Sequence, residues 1–181
     1  MSTRQSLVDT ARQVVERDGL GGLTLRAIAR EAGVSHGAPL RHFPTLASLL
    51  AALGAWGFEQ LMAAVSEAIA PVSDVRDRVA AAGRGYITFA LGQPGVYSVM
   101  FRPDLIDTAD PAYAAAGIAS FEQLATLVAA AQADGWRPDE PRDRLASVLW
   151  AQVHGLADLR IHGSLVDDDL DALVALATSM R

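Results

Sequence analysis

LTLRAIAREAGVSHGAPLRHF, residues 23–43, holds two helix-forming segments with a turn between them. Thr24 is a favoured N-cap, and Leu25, Ile28, Ala29 and Ala32 follow it at helical spacing. Gly33 then ends the first segment, since glycine readily takes the left-handed conformation of a helix terminus. Ser35 offers a second cap for a very short helix running to about His42 or Phe43. This second helix is poor material for a core, because residues 33–43 include two glycines, a proline, an arginine and two histidines. Pro39 falls at about the fourth helical position, where its missing N–H removes the first intrahelical bond; the helix is expected to be short or 3₁₀-like at its start.

The pattern stays helical on both sides. Upstream, Leu7, Ala11, Val14 and Val15 share one helix face and Gly19 stops the run. Downstream, Pro44 and Thr45 open a long helix, LASLLAALGAWGFEQLMAAVSEAI, which Pro71 ends. Further helices are expected near 74–91, 95–101, 111–134, 139–162 and 168–179, broken by GQPG, RPD, DGWRPDEP and GSLVDDD. The expected fold class is therefore all-α, with about nine helices and no alternating strand pattern. The division expected from sequence is a small N-terminal module, residues 1–47, and a helical body, residues 48–181.

Composition narrows the function classes. The chain has 181 residues, about half of them apolar, which is enough for a real core without staples. It has no cysteine, which excludes disulfides and cysteine zinc sites. The amphipathic start MSTRQSLVDTARQVVERDG does not read as a signal peptide, and no run of about 18 apolar residues is free of charge. A cytoplasmic protein without a membrane partner is expected. The net charge of -6 divides unevenly: +2 over residues 1–47 and -8 over residues 48–181. All 15 cationic side chains are arginines.

A helix, a tight turn at Gly33 and a second short helix have the spacing of a helix-turn-helix, in which the second helix enters the DNA major groove. That gives the odd segment a use. A reading helix keeps its outer face polar or small, so Gly37 and Ala38 allow close approach, Arg41 and His42 supply donors to phosphate, and Phe43 anchors the helix inward. Small residues at the helix start also leave its amides open to an anion.

The stretch LTLRAIAREAGVSHGAPLRHFPTLASLLAAL, preceded by a helix ending in Glu-x-Asp-Gly, resembles the DNA-binding domain of the TetR family of transcriptional regulators over about residues 5–53. The resemblance implies that Thr24 caps the second helix near phosphate, that Arg26, Ser35, His36, Ala38 and Pro39 lie at or near DNA, and that His42 meets a phosphate. Two positions depart from the family: Leu40 stands where a tyrosine is usual and Leu46 where a lysine is usual. Both usual residues contact phosphate, so their loss is expected to weaken affinity and flatten its salt dependence.

LWAQVHGLADLRIHG, residues 149–163, resembles the Trp…His-Gly signature of one C-terminal subclass of that family. The resemblance implies a helical ligand-binding domain that dimerises through its last two long helices. Leu145, Leu149, Leu156 and Leu159 form one apolar stripe there, and Leu170, Leu173, Val174 and Ala177 another. By periodicity alone these could face a partner or their own core; the resemblance favours a homodimer. Trp56, Met62, Phe89, Tyr97, Met100, Phe101, Tyr113, Phe121, Trp150 and His154 are candidates for a pocket taking a small, mainly apolar effector, against the alternative of ordinary core. His154, Asp158 and His162 share one helix face but span two turns, so a metal site is not expected.

The expected function is thus a repressor, not an enzyme and without cofactor, that binds palindromic double-stranded operator DNA as a homodimer and is released by an effector. The alternatives are a small metal-dependent hydrolase using the His/Asp face, or a degenerate regulator working through protein contacts, for which Leu40 and Leu46 speak.

Overall fold

The structure is a computed structural model that describes residues 2–35, 38–166 and 169–178, apart from the side chain of Ala38. Among these residues every regular element is helical: α1 (Thr3–Asp18), a 3₁₀ turn (Leu20–Gly22), α2 (Leu25–Glu31), α3 (Ala38–His42), α4 (Leu46–Ile69), α5 (Val75–Gly92), α6 (Pro94–Met100), α7 (Pro111–Ala133), α8 (Arg142–Ile161) and α9 (Leu170–Thr178). The all-α class holds, and the helix ends lie close to the positions read from sequence.

Local chemistry explains several boundaries. Ser2 caps α1 by accepting from Gln5 N at 3.3 Å, and Thr24 caps α2 by accepting from Ala27 N at 3.1 Å. Gly19 and Gly33 close these helices with φ of 68° and 67°, a conformation that side chains other than hydrogen rarely adopt. Thr45 and Ser48 exchange caps at the start of α4: Ser48 N donates to Thr45 Oγ1 at 3.1 Å and Thr45 N donates to Ser48 Oγ at 3.2 Å. The expected cap by Ser35 cannot be followed, because the chain between it and α3 lies outside the described residues.

The chain forms two compact units, and they do not divide at residue 47. The first comprises Met1–Phe58 with Gln93–Gly117; the second comprises Glu59–Gly92 with Ile118–Arg181. The reason lies in α6, which belongs with α1. The Glu16 carboxylate accepts from Gly95 N at 3.1 Å and from Val96 N at 2.8 Å, satisfying two amides at the start of α6. Gly95 sits so near α1 that an added Cβ would lie 2.6 Å from the Val15 carbonyl oxygen. In the same unit Leu7, Val14, Ile28, Phe43, Leu49 and Leu53 form a buried core around α1, α2 and the start of α4.

The second unit is built on α5, α8 and α9. Val79, Ala125, Val128, Ala131, Leu145, Ala146 and Leu149 make a core cluster flanked by Phe121, Leu124 and Trp136. Gly83 lets α5 lie close to the others, with Val174 2.9 Å and Val153 3.2 Å from where a Cβ would stand. Two helices, α4 and α7, are long and apolar enough to cross a membrane by length and composition; α4 is mostly buried in the fold, whereas α7 is largely half-buried or exposed and carries Glu122.

Candidate functional site

The α2–turn–α3 unit presents its surface as the helix-turn-helix reading requires. Phe43 is 2 % exposed, so it anchors the end of α3 inward, while Leu40, Arg41 and His42 face outward. Pro39 is buried and its carbonyl accepts from Phe43 N at 2.7 Å. It is therefore an inner support of α3 rather than a residue presented to DNA, which corrects its expected place; a proline ring has no donor to offer a phosphate. Arg26 and Thr24 are exposed on α2, and Ser35 is exposed in the turn. His36 and Gly37 lie outside the described residues, and so does the side chain of Ala38.

Charge in this region is sorted in a way that the net value hides. Arg17 donates to Glu31 at 2.7 Å and to Asp18 at 2.7 Å. These bonds hold both carboxylates below the usual range, first through the hydrogen bond and then through charge. Glu16 is committed to the amides of α6. Arg12 turns inward, its guanidinium carbon 5.4 Å from the centre of the Trp56 ring. The fourth acid, Asp9, accepts from Gln5 Nε2 at 3.2 Å, so all four acids have partners, while Arg4, Arg26, Arg30 and Arg41 remain exposed. The module thus keeps four exposed arginines that carry no ion pair among the described residues, while Asp18 and Glu31, also exposed, share Arg17.

The ten residues proposed for a pocket fall into two groups. Trp56, Tyr97, Met100, Phe101 and Tyr113 belong to the first unit. Phe101 stands 5.7 Å from Phe58 and 5.2 Å from Tyr97, and the Tyr113 hydroxyl donates to the Met100 carbonyl at 2.8 Å. Tyr97 and Met100 are buried, at 2 % and 0 %, as part of a close-packed core. Trp56 lies against Arg12.

Met62, Phe89, Phe121, Trp150 and His154 belong to the second unit. Phe89 is buried there. Trp150, Tyr86 and His154 form a polar chain: Trp150 Nε1 donates to the Tyr86 hydroxyl at 3.4 Å, and that hydroxyl lies 2.8 Å from His154 Nδ1. The Trp…His pair of the signature therefore meets on Tyr86 of α5, a partner that nothing local in the sequence indicates. Trp150 also meets Phe121 edge to face at 6.4 Å and is 39 % exposed.

Burial pushes the His154 pKa down, and Asp158 partly opposes it. The folded state then holds fewer protons on this ring than the unfolded one. The stability it contributes is present above the ordinary histidine value of about 6.5 and is lost as pH falls below it. Thermal melts between pH 7 and pH 5 are expected to fall more steeply for the wild-type chain than for His154→Gln. Parallel curves would remove His154 from the acid sensitivity of this unit.

The apolar stripes of α8 and α9 require correction. Leu145, Leu149 and Val174, at 6 %, 4 % and 1 % exposure, face the core of their own unit and are not available to a second copy. Periodicity identifies a stripe but not its neighbour. Of the other expected contacts, Leu156, Leu170, Leu173 and Ala177 are partly buried and Leu159 is exposed. The exposed large apolar side chains of α8 and α9 are Val148, Trp150, Leu159 and Leu176, with Gly155 between Val148 and Leu159 and open space where its Cβ would be. Among the described residues no group of three or more potential metal ligands gathers; His162 Nδ1 instead donates to the Asp158 carbonyl at 2.8 Å.

Fold and surface together define a helix-turn-helix regulator with a helical C-terminal region. Residues 7–53 match the tetR family of bacterial regulatory proteins, and residues 79–180 match the tetracyclin repressor-like C-terminal domain. The chain belongs to the TetR family of transcriptional regulators. Among solved structures it is similar to a protein of unknown function from Rhodococcus sp. RHA1, 37 % identical, covering 99 % of this chain and 93 % of that one with a TM-score of 0.87. It also shares the fold of a TetR family transcription regulator from Marinobacter aquaeolei VT8, at 18 % identity, 98 % and 92 % coverage and a TM-score of 0.73. A further relative is an uncharacterized HTH-type transcriptional regulator of Mycobacterium tuberculosis, 26 % identical over 94 % of this chain and 76 % of that protein.

Proposed function

We propose that this chain is a repressor that binds palindromic operator DNA as a homodimer and is released by a small, mainly apolar effector. The observation that carries the DNA part is the sorting of charge: Arg41, His42, Arg26 and Arg30 point outward while Asp18, Glu31 and Glu16 are held by partners. The effector is assigned to the group of Trp150, Phe121, Tyr86 and His154, where a half-exposed indole adjoins a polar chain. An apolar ligand with one hydrogen-bonding group suits such a lining. The dimer face is assigned to Val148, Gly155 and Leu159 of α8 together with the exposed side of α9.

A gel shift with the DNA upstream of the chain's own gene tests the reading. Arg41→Gln is expected to weaken binding to every operator variant alike, because a phosphate contact carries no sequence information. Arg26→Gln is expected to lose about 1–3 kcal/mol selectively at one base pair, as a groove contact does. Equal loss at all variants for both mutants would defeat the distinction. Absence of any shift by the wild-type chain would favour a regulator working through protein contacts, for which the outward Leu40 is the supporting feature.

A further inference from the structure

We propose that Arg4 of α1 is a DNA-phosphate contact, braced on Phe43, which supplies part of what Leu40 and Leu46 cannot. This rests on the DNA-binding reading above. Arg4 lies in the first turn of α1, is exposed, and makes no ion pair among the described residues. Its guanidinium carbon stands 5.0 Å from the centre of the Phe43 ring. Phe43 is only 2 % exposed and directly follows the last turn of α3, which carries the exposed Arg41 and His42. The ring therefore seats the Arg4 guanidinium at the end of α3 that holds the other two donors. A cation over an aromatic face keeps its charge and its planar fork, so it stays competent for a phosphate while losing side-chain freedom in advance.

The helix dipole gives no reason for a cation at this place, so among the described residues the Phe43 ring is the one local feature that favours an arginine here. A positive charge in the first turn opposes the helix dipole, and α1 has no acid there to offset it. The other arginines of α1 are engaged elsewhere: Arg17 with Asp18 and Glu31, Arg12 with Trp56. Arg4 is the one of the three that is exposed, has no ion pair among the described residues and lies beside the residue that follows α3. The usual tyrosine and lysine are absent, and a cation arriving from α1 restores contact with the backbone at the same end of the reading helix.

The test is the salt dependence of binding, measured by fluorescence anisotropy on two duplexes, one from upstream of the chain's own gene and one of mixed sequence. Each phosphate neutralised contributes about 0.9 to the slope of log K against log salt. Arg4→Gln is expected to lower the slope by about 1.8 for a dimer, on both duplexes, whereas Arg4→Lys keeps most of it. Arg12→Gln removes the same charge from the same helix and is expected to leave the slope as in wild type. An Arg4→Gln slope equal to that of wild type overturns the proposal. So does an equal loss for Arg12→Gln, which would mean that only overall charge matters. If the wild-type chain itself shows no salt-dependent binding to either duplex, the DNA reading has failed and Arg4 falls with it, a result that the wild-type curve alone identifies.

Discussion

Gly95→Val is expected to destabilise the N-terminal unit by about 3 kcal/mol, near the upper end of what overpacking usually costs. A Cβ at this position would stand 2.6 Å from the Val15 carbonyl oxygen and 3.0 Å from Glu16 N. Those atoms are backbone within α1 and cannot swing aside as a side-chain tip could. α6 must then move off α1, and the Gly95 and Val96 amides lose the Glu16 carboxylate. In a chain of this size the fall in Tm should be roughly 6–12 °C. Glu16→Gln breaks the same joint from the other side but keeps one acceptor oxygen, so its effect is expected to be smaller. The double mutant should cost much less than the two singles added, because both act on one contact. Strict additivity in denaturant unfolding would show that Glu16 and Gly95 do not form one joint.

On the proposed dimer face, Leu159→Glu is expected to abolish dimerisation without unfolding the chain. Leu159 is 46 % exposed in the single chain, so a glutamate there meets water and should alter folding stability by less than about 0.5 kcal/mol. In a two-fold interface the substitution occurs twice, and an unpaired charge buried against a partner costs about 3–5 kcal/mol. The dimer Kd should rise by about a thousandfold or more, since each 1.4 kcal/mol is tenfold. Sedimentation velocity would show a folded monomer, and tight binding to a palindrome should go with it. A mutant that still sediments as a dimer would place the interface elsewhere. Leu145 and Leu149 would not serve for this test, because truncating them damages the core of their own unit.

What was legible in the sequence was local. Thr24, Gly19, Gly33, Pro44 and Phe43 act through neighbours a few residues away, and their roles hold in the structure. The helix-turn-helix came from such signals in a fixed order. What was not legible depends on contacts between residues far apart in the chain. Nothing local in the sequence sets Glu16 apart, yet it fastens residues 95 and 96, which is why the compact units do not divide where composition changes. The placement of Arg12 over Trp56, 44 residues on, is likewise invisible to local pattern. Leu145 and Leu159 are about four turns apart on one helix and looked equivalent, but one is core and the other surface. The pocket list joined residues by type, and the fold separates them into two units.

The placement of the three tryptophans makes the chain optically addressable. Trp56 lies beneath the Arg12 guanidinium in the first unit. Trp136 and Trp150 lie in the second, the former beside Arg137 at the core cluster and the latter next to His154. Each indole therefore emits from its own dielectric and its own charged neighbour. A chain keeping Trp56 alone would follow the reading head through a titration, and one keeping Trp150 alone would follow the region assigned to the effector. Comparing the two colour shifts in a stopped-flow mixing of effector with the DNA complex would time which part responds first, without any attached dye.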